Sequence, residues 1–127
     1  MSAVQWSDSA PIFLQLKQRI IAMMLSGELK PGDALPSVRQ VASDYQVNPI
    51  TVSRSYQELV QEGLVEKRRG IGMFVTESAT GKLLNAERDH FLNVEWPHTL
   101  ERMHQLGIDP ASLLQDSQQR YGKPGHE

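Results

Sequence analysis

Between Val47 and Leu59 the chain reads VNPITVSRSYQEL, a short helix that carries its own start signal. Asn48 suits an N-cap, because its side-chain oxygen can accept a hydrogen bond from a free amide of the first turn. Pro49 already has the φ of a first helical residue. Behind them Val52, Tyr56 and Leu59 recur at helical spacing and define one apolar face. Turning about 100° per residue puts Ile50, Arg54 and Gln57 on the opposite face, flanked by Thr51 and Ser53. A helix with a core face and an exposed face of small polar groups plus one Arg suits the DNA major groove. A solvated surface helix has the same pattern, so the flanking sequence has to separate the two readings.

On the N-terminal side, Ser37 and Gln40 make the S-x-x-Q pattern of a capping box, and Val38, Val41, Ala42 and Tyr45 face inward. Arg39 falls in the first turn of that helix, the end at which the helix dipole disfavours a cation. A nearby phosphate or guanine reverses the sign, since a guanidinium donates two hydrogen bonds to either. Gln46-Val47-Asn48 leaves room only for a tight turn, so the two helices are joined as in a helix-turn-helix. Further upstream, Pro11 opens a helical pattern that runs to Ser26, with Asp8 or Ser9 available as its cap. Ile12, Leu16, Ile20 and Met23 make one stripe and Leu14, Ile21 and Leu25 a second, which predicts a helix covered on more than one side. Gly27 and the turn signal Lys30-Pro31-Gly32-Asp33 end it.

After Gly63 the period becomes extended. Leu64-Val65-Glu66-Lys67 and Met73-Phe74-Val75-Thr76 read as two short strands around Arg68-Arg69-Gly70-Ile71-Gly72. Lys67, Arg68 and Arg69 are three consecutive cations at the base of this hairpin. Directly after a helix-turn-helix, that run reads most economically as a wing against the DNA backbone or minor groove. Residues 77–81 have the Ser/Thr/Ala/Gly composition of a linker. Beyond it Leu84, Phe91, Leu92, Trp96, Leu100, Met103 and Leu106 follow a roughly helical spacing, with Pro97 predicting a kink or break after Trp96. Asp109 and Pro110 start a last helix with Leu113, Leu114 and Tyr121 apolar, and a frayed tail is expected over residues 122–127.

The net charge of −2 argues against a nucleic-acid partner until it is divided. Residues 1–76 hold eight Lys/Arg against seven Asp/Glu, while residues 77–127 hold five against eight. The sign of that asymmetry points to the N-terminal part as the side that meets phosphate. The absence of cysteine rules out disulfides and thiolate chemistry and suits the cytoplasm. No stretch approaches the ~18 to 20 apolar residues of a membrane span, and the N-terminus lacks a signal-peptide pattern. An enzyme is disfavoured because no motif organises the histidines and acids. His90, His98 and His104 are spaced eight and six apart, not four, so neither a metal nor a cofactor is expected. A protein-interaction module remains the other class, but it would not need Arg39, Arg54 and the Lys67–Arg69 run together.

With these residues placed, the chain resembles the GntR family of winged-helix transcription regulators, and within it the short YtrA-like subgroup. The likeness covers about residues 11–75. It rests on LPSVRQVA (Leu35 to Ala42), VNPITVSRSYQELVQEGLVEKRRG (Val47 to Gly70) and the G-x-G-x-F-V of Gly70 to Val75. It implies a mainly α fold with a small β-hairpin. A winged helix-turn-helix over residues 10–76 would be followed by a short helical dimerisation region of two or three helices over residues 82–121. It also implies a homodimeric regulator, most often a repressor, on an inverted-repeat operator, controlling a transporter operon often of the ABC type. Positions matching Arg39, Asn48, Pro49, Thr51, Ser53, Arg54, Arg69 and Gly70 lie at or near DNA in such proteins. The exposed faces read above add Ile50, Gln57, Lys67 and Arg68. Ile50 stands where the subgroup often has a polar residue, and Ser55 where Ala is usual. Phe91, Trp96, Leu100 and Met103 have little core of their own to enter and are expected at the dimer interface. No dedicated small-molecule domain is legible, so an effector, if one exists, would be small or lie between subunits.

Overall fold

Three helices and a hairpin share one core. The structure, a computed structural model, describes residues 5–122. Helix α1 (Ile12–Ser26) buries Leu16, Ile20 and Met24, one residue per turn along a single stripe. Met24 is buried where the sequence stripe put Met23, and Met23 packs half-buried against the same core. Neither Asp8 nor Ser9 caps this helix. Pro11 is its N-cap and makes no side-chain cap bond. Instead the Gln15 amide reaches back, donating to the Ser7 and Ala10 carbonyls at 2.7 Å each and accepting from the Ser7 N–H at 2.9 Å.

Helix α2 (Val38–Tyr45) and helix α3 (Pro49–Gln61) form the helix-turn-helix. Ser37 caps α2 by accepting from the Gln40 N–H at 3.1 Å. The box is only half made, because the Gln40 amide turns forward to Asp44 at 3.0 Å rather than back to Ser37. Gln46, in the turn, has φ 55°, the one positive φ outside glycine among the described residues. Its left-handed backbone reverses the chain in two residues, and Val47 beside it enters the core. Asn48 then caps α3 by accepting from the Ile50 N–H at 2.8 Å.

Helix α3 buries Val52, Ser55, Tyr56 and Leu59. Burial of each such apolar side chain is worth about 1.5 to 3 kcal/mol, so this face alone fixes the helix in the core. At its end Gly63, at φ 75°, lets the Leu64 N–H close back on the Leu59 carbonyl at 3.0 Å. Strands β1 (Val65–Arg68) and β2 (Gly72–Val75) follow, antiparallel, with Val65 opposite Val75 and Lys67 opposite Met73. A third segment, not expected from sequence, joins them. Ala34 bridges to Phe74, and the Leu35 N–H donates to the Met73 carbonyl at 2.8 Å.

The expected linker at 77–81 is replaced in part by helix α4 (Ala79–His90). Ala79 is wholly buried and Leu83 nearly so, both in the winged-domain core. A linker composition gave no sign of this, because Ala and Gly are read as loop until a packing partner is known. The chain divides into two compact units between Asn85 and Ala86. In the second, helices α5 (Trp96–Leu106) and α6 (Pro110–Tyr121) follow α4, with Asp109 capping α6 through the Ala111 N–H at 3.1 Å. The chain does not break at Pro97. A π turn at Phe91–Glu95 precedes it, in which the Trp96 N–H bonds to the carbonyl of Phe91. In a regular α-helix the Pro97 ring would collide with the Asn93 carbonyl, and the wider turn takes up that misfit. The frayed tail expected over residues 122–127 lies, beyond Gly122, outside the described residues.

A polar group within the core fixes α3 further. The Tyr56 hydroxyl donates to the Pro36 carbonyl at 2.6 Å. Burial pushes its phenol up to about 12, with Tyr45 adding to the rise. The folded chain therefore holds this proton more tightly than the unfolded one, whose phenol titrates near the ordinary 10.0. That contribution is complete below pH 10 and is lost as the pH rises towards 12. Tyr56→Phe is expected to lower stability by about 1 to 2 kcal/mol, the cost of leaving the Pro36 carbonyl without a donor. Denaturant melts at pH 7 and at pH 11 check both points. The difference between parent and variant should shrink at the higher pH.

Candidate nucleic-acid interface

The residues expected at DNA fall on one exposed side of the helix-turn-helix and on the hairpin beyond it. Asn48, Pro49 and Ile50 are exposed at the start of α3, and Ile50 is 76% accessible, far more than an apolar residue with a core to join. Thr51 and Ser53 are half-buried flanks, while Arg54 and Gln57 continue the open stripe. Arg39 is exposed in the first turn of α2 and makes no ion pair among the described residues. Arg54, Gln57 and Lys67 line one open groove between α3 and the hairpin, together with Glu58, Val60, Gln61 and Met73. The groove thus unites two stretches read separately in the sequence.

The Lys67–Arg69 run is not a single patch at the hairpin base. Strand alternation sends Lys67 to the face that carries Val65 and Arg68 to the face that carries Glu66. Arg68 donates to the Glu66 carboxylate at 2.9 Å and lies 4.2 Å over the Phe74 ring. Arg69 and Gly70 form the tip, where the Ile71 N–H closes on the Arg68 carbonyl at 2.9 Å and Gly70 has φ 74°. Only glycine adopts that torsion freely, so the tip depends on it. Arg69 and the exposed Ile71 are the side chains this turn presents.

Two residues of this region, Lys17 and Phe13, escaped the sequence reading, and a third, Ser55, entered it only as a departure in packing from the usual Ala. Lys17 of α1 is buried and sits between two carboxylates of α3, bonded to Glu62 and 3.6 Å from Glu58. The Glu62 hydrogen bond, against the opposing effect of burial, raises its pKa above the usual amine value. Ser55 is fully buried, and its hydroxyl donates to the Phe13 carbonyl at 2.7 Å. Its place on the core face of α3, one residue before Tyr56, was the available sign. Phe13 also packs under Arg54, whose guanidinium carbon lies 3.7 Å from the ring centre. A lysine within the apolar stripe of α1 gave no signal of its own, because its partners lie about forty residues away.

The model of the bacterial regulatory proteins of the gntR family matches residues 13–75, ending on the last residue of β2. The HTH-type transcriptional regulator YhcF of Bacillus subtilis (strain 168) is 36% identical over 111 residues, 87% of this chain and 90% of that protein. The chain belongs to the GntR family. It is a DNA-binding transcription regulator with a winged helix-turn-helix, as the resemblance implied. The HTH-type transcriptional repressor YtrA of the same organism is 42% identical over 80 residues, 63% of this chain and 62% of that one. Among solved structures, a GntR family regulator from Listeria monocytogenes has a TM-score of 0.69 at 28% identity, covering 90% of this chain and 98% of that one.

In this GntR-family chain two substitutions separate recognition from folding. Arg39→Ala is expected to weaken specific DNA binding by about 1 to 3 kcal/mol while leaving the melting temperature unchanged. Titration against a selected operator, beside a thermal melt, measures both. Ile50→Asn is expected to change the preferred base at one position of each half-site, by removing an apolar contact to a thymine methyl, and to leave the salt slope alone. Sequencing of DNA selected by parent and variant reads this directly, and identical profiles would remove Ile50 from the contact set.

Proposed function

We propose that this regulator binds an inverted-repeat operator as a homodimer in the cytoplasm and represses the genes beside it. The reading of α3 as the groove-entering helix is supported by the exposed stripe of Ile50, Arg54 and Gln57 over a rigid core face. Arg39 is assigned to a guanine edge or a phosphate, Arg69 and Gly70 to the phosphate backbone, and Lys67 to the groove beside α3. Repression is drawn from the likeness to the transcriptional repressor YtrA. Control of a transporter operon follows from the family resemblance alone. Among the described residues no helix is long and apolar enough to cross a membrane, which is consistent with action on cytoplasmic DNA.

The observation that carries the dimer is the apolar exposure of the second unit. Phe91, Leu92, Val94, Leu106, Leu113 and Leu114 are all exposed, and Phe91 stacks on Trp96 at 6.3 Å between ring centres. So much apolar surface on two short helices calls for a partner, and a second copy is the economical one. Phe91, the half-buried Trp96 and the half-buried Leu100 keep their assignment to that interface. Met103 is already buried in the single chain and contributes shape rather than exposed area.

Phe91→Glu in the full chain is expected to give a monomer by sedimentation. Its affinity for an isolated half-site should equal the parent's, while affinity for the complete inverted repeat falls at least tenfold, because the two half-sites are no longer engaged by one linked object. A Phe91→Glu protein that still sediments as a dimer would place the interface elsewhere.

A further inference from the structure

We infer that Phe13 is a positioning residue for DNA recognition, holding the Arg54 guanidinium over its ring with the N–H groups left free. The inference rests on the reading of α3 as the groove-entering helix. Three contacts lead to it. The Arg54 guanidinium carbon stands 3.7 Å from the Phe13 ring centre, well inside the range at which a cation and an aromatic face attract. The residue under the ring is itself fixed, since the buried Ser55 hydroxyl donates to the Phe13 carbonyl at 2.7 Å. Adjacent residues of α3 therefore grip one residue of α1 through its backbone and through its ring.

The third contact concerns the competitor. Glu58 is four residues after Arg54, the spacing at which a helical carboxylate normally captures an arginine. Here Glu58 lies 3.6 Å from the Lys17 ammonium, which also binds Glu62. Arg54 has no carboxylate within ion-pair distance among the described residues. Helix α1 thus acts twice on the recognition helix: Lys17 gives Glu58 a cation other than Arg54, and Phe13 supplies Arg54 with a neutral surface. An aromatic face restrains the long Arg side chain without occupying any of its five donors. A carboxylate would occupy two of them and would repel phosphate. Arg54 lines its groove with Gln57, Glu58 and Lys67, and with Glu58 facing Lys17 instead, the guanidinium donors become available there.

The test uses the full chain and an operator fragment selected by the parent. Phe13→Leu, Phe13→Tyr, Arg54→Ala and the Phe13→Leu/Arg54→Ala double variant are titrated against it over a range of salt. Phe13→Leu should weaken binding about two- to fivefold, the size of an exposed cation–aromatic contact. Phe13→Tyr, which keeps the ring, should restore the parent affinity. Arg54→Ala should lower the salt slope by about 1, and Phe13→Leu should leave it unchanged, since the cation is still present. In the Arg54→Ala background the loss of the ring should have no further effect. In the free protein, the Arg54 side-chain protons should show an upfield ring-current shift by NMR that Phe13→Leu abolishes, a readout independent of DNA. Equal losses from Phe13→Leu with and without Arg54 would make the ring merely structural and overturn the inference. So would parent affinity in Arg54→Ala, although the parent's selection of DNA would then still support the proposed function. A parent that selects no DNA would remove the proposed function and this inference with it.

Discussion

Helix α3 must be held rigidly along one face so that the other can stay bare, and the Tyr56 side chain is where that demand concentrates. Its ring is buried between α1 and α2, and its hydroxyl ties α3 to the loop that leads into α2. A hydrophobic contact alone would fix the depth of α3 but not its rotation, because dispersion and burial are non-directional. The hydrogen bond to the Pro36 carbonyl is directional, and together with the Ser55–Phe13 bond it sets which residues of α3 face outward. The position of Ile50, Arg54 and Gln57 depends on that rotation.

The parts of this arrangement that were legible in the sequence are those decided within about ten residues. Asn48 and Pro49 announced α3, Ser37 announced α2, and the change of period after Gly63 announced the hairpin, since caps and periodicity are local physics. What escaped was long-range. Lys17 reads as a polar interruption until α3 supplies two carboxylates. Ala34 reads as loop until β2 arrives beside it. Ala79 reads as linker until the core accepts it. The run Lys67–Arg69 was over-read for the opposite reason: consecutive residues of a strand point to opposite faces, so adjacency in sequence separated these cations in space.

A net charge near zero is no obstacle to a nucleic-acid surface when part of the acidic charge is paired within the fold. Lys17 offsets one of the two charges of Glu58 and Glu62, and Glu66 is paired with Arg68. What remains unpaired on the helix-turn-helix and hairpin includes Arg39, Arg54, Lys67 and Arg69. Phosphate responds to this local field within a Debye length of about 8 to 10 Å, not to the total for the chain. Overall charge is thus a poor guide for so small a regulator.

The π turn before Pro97 has a consequence for how this part of the chain can vary. A single π turn is equivalent to one residue inserted into an α-helix, and it rotates everything after it by about 100° relative to the helix before. Phe91 and Trp96, five apart, are stacked for that reason, whereas regular winding would set them on different sides. Deleting one residue between Phe91 and Glu95 would restore regular winding, bring the Pro97 ring against a backbone carbonyl and turn Leu100 away from its present direction. Length in this segment therefore works as a phase setting. Gain or loss of a single codon here would exchange one apolar face of α5 for another.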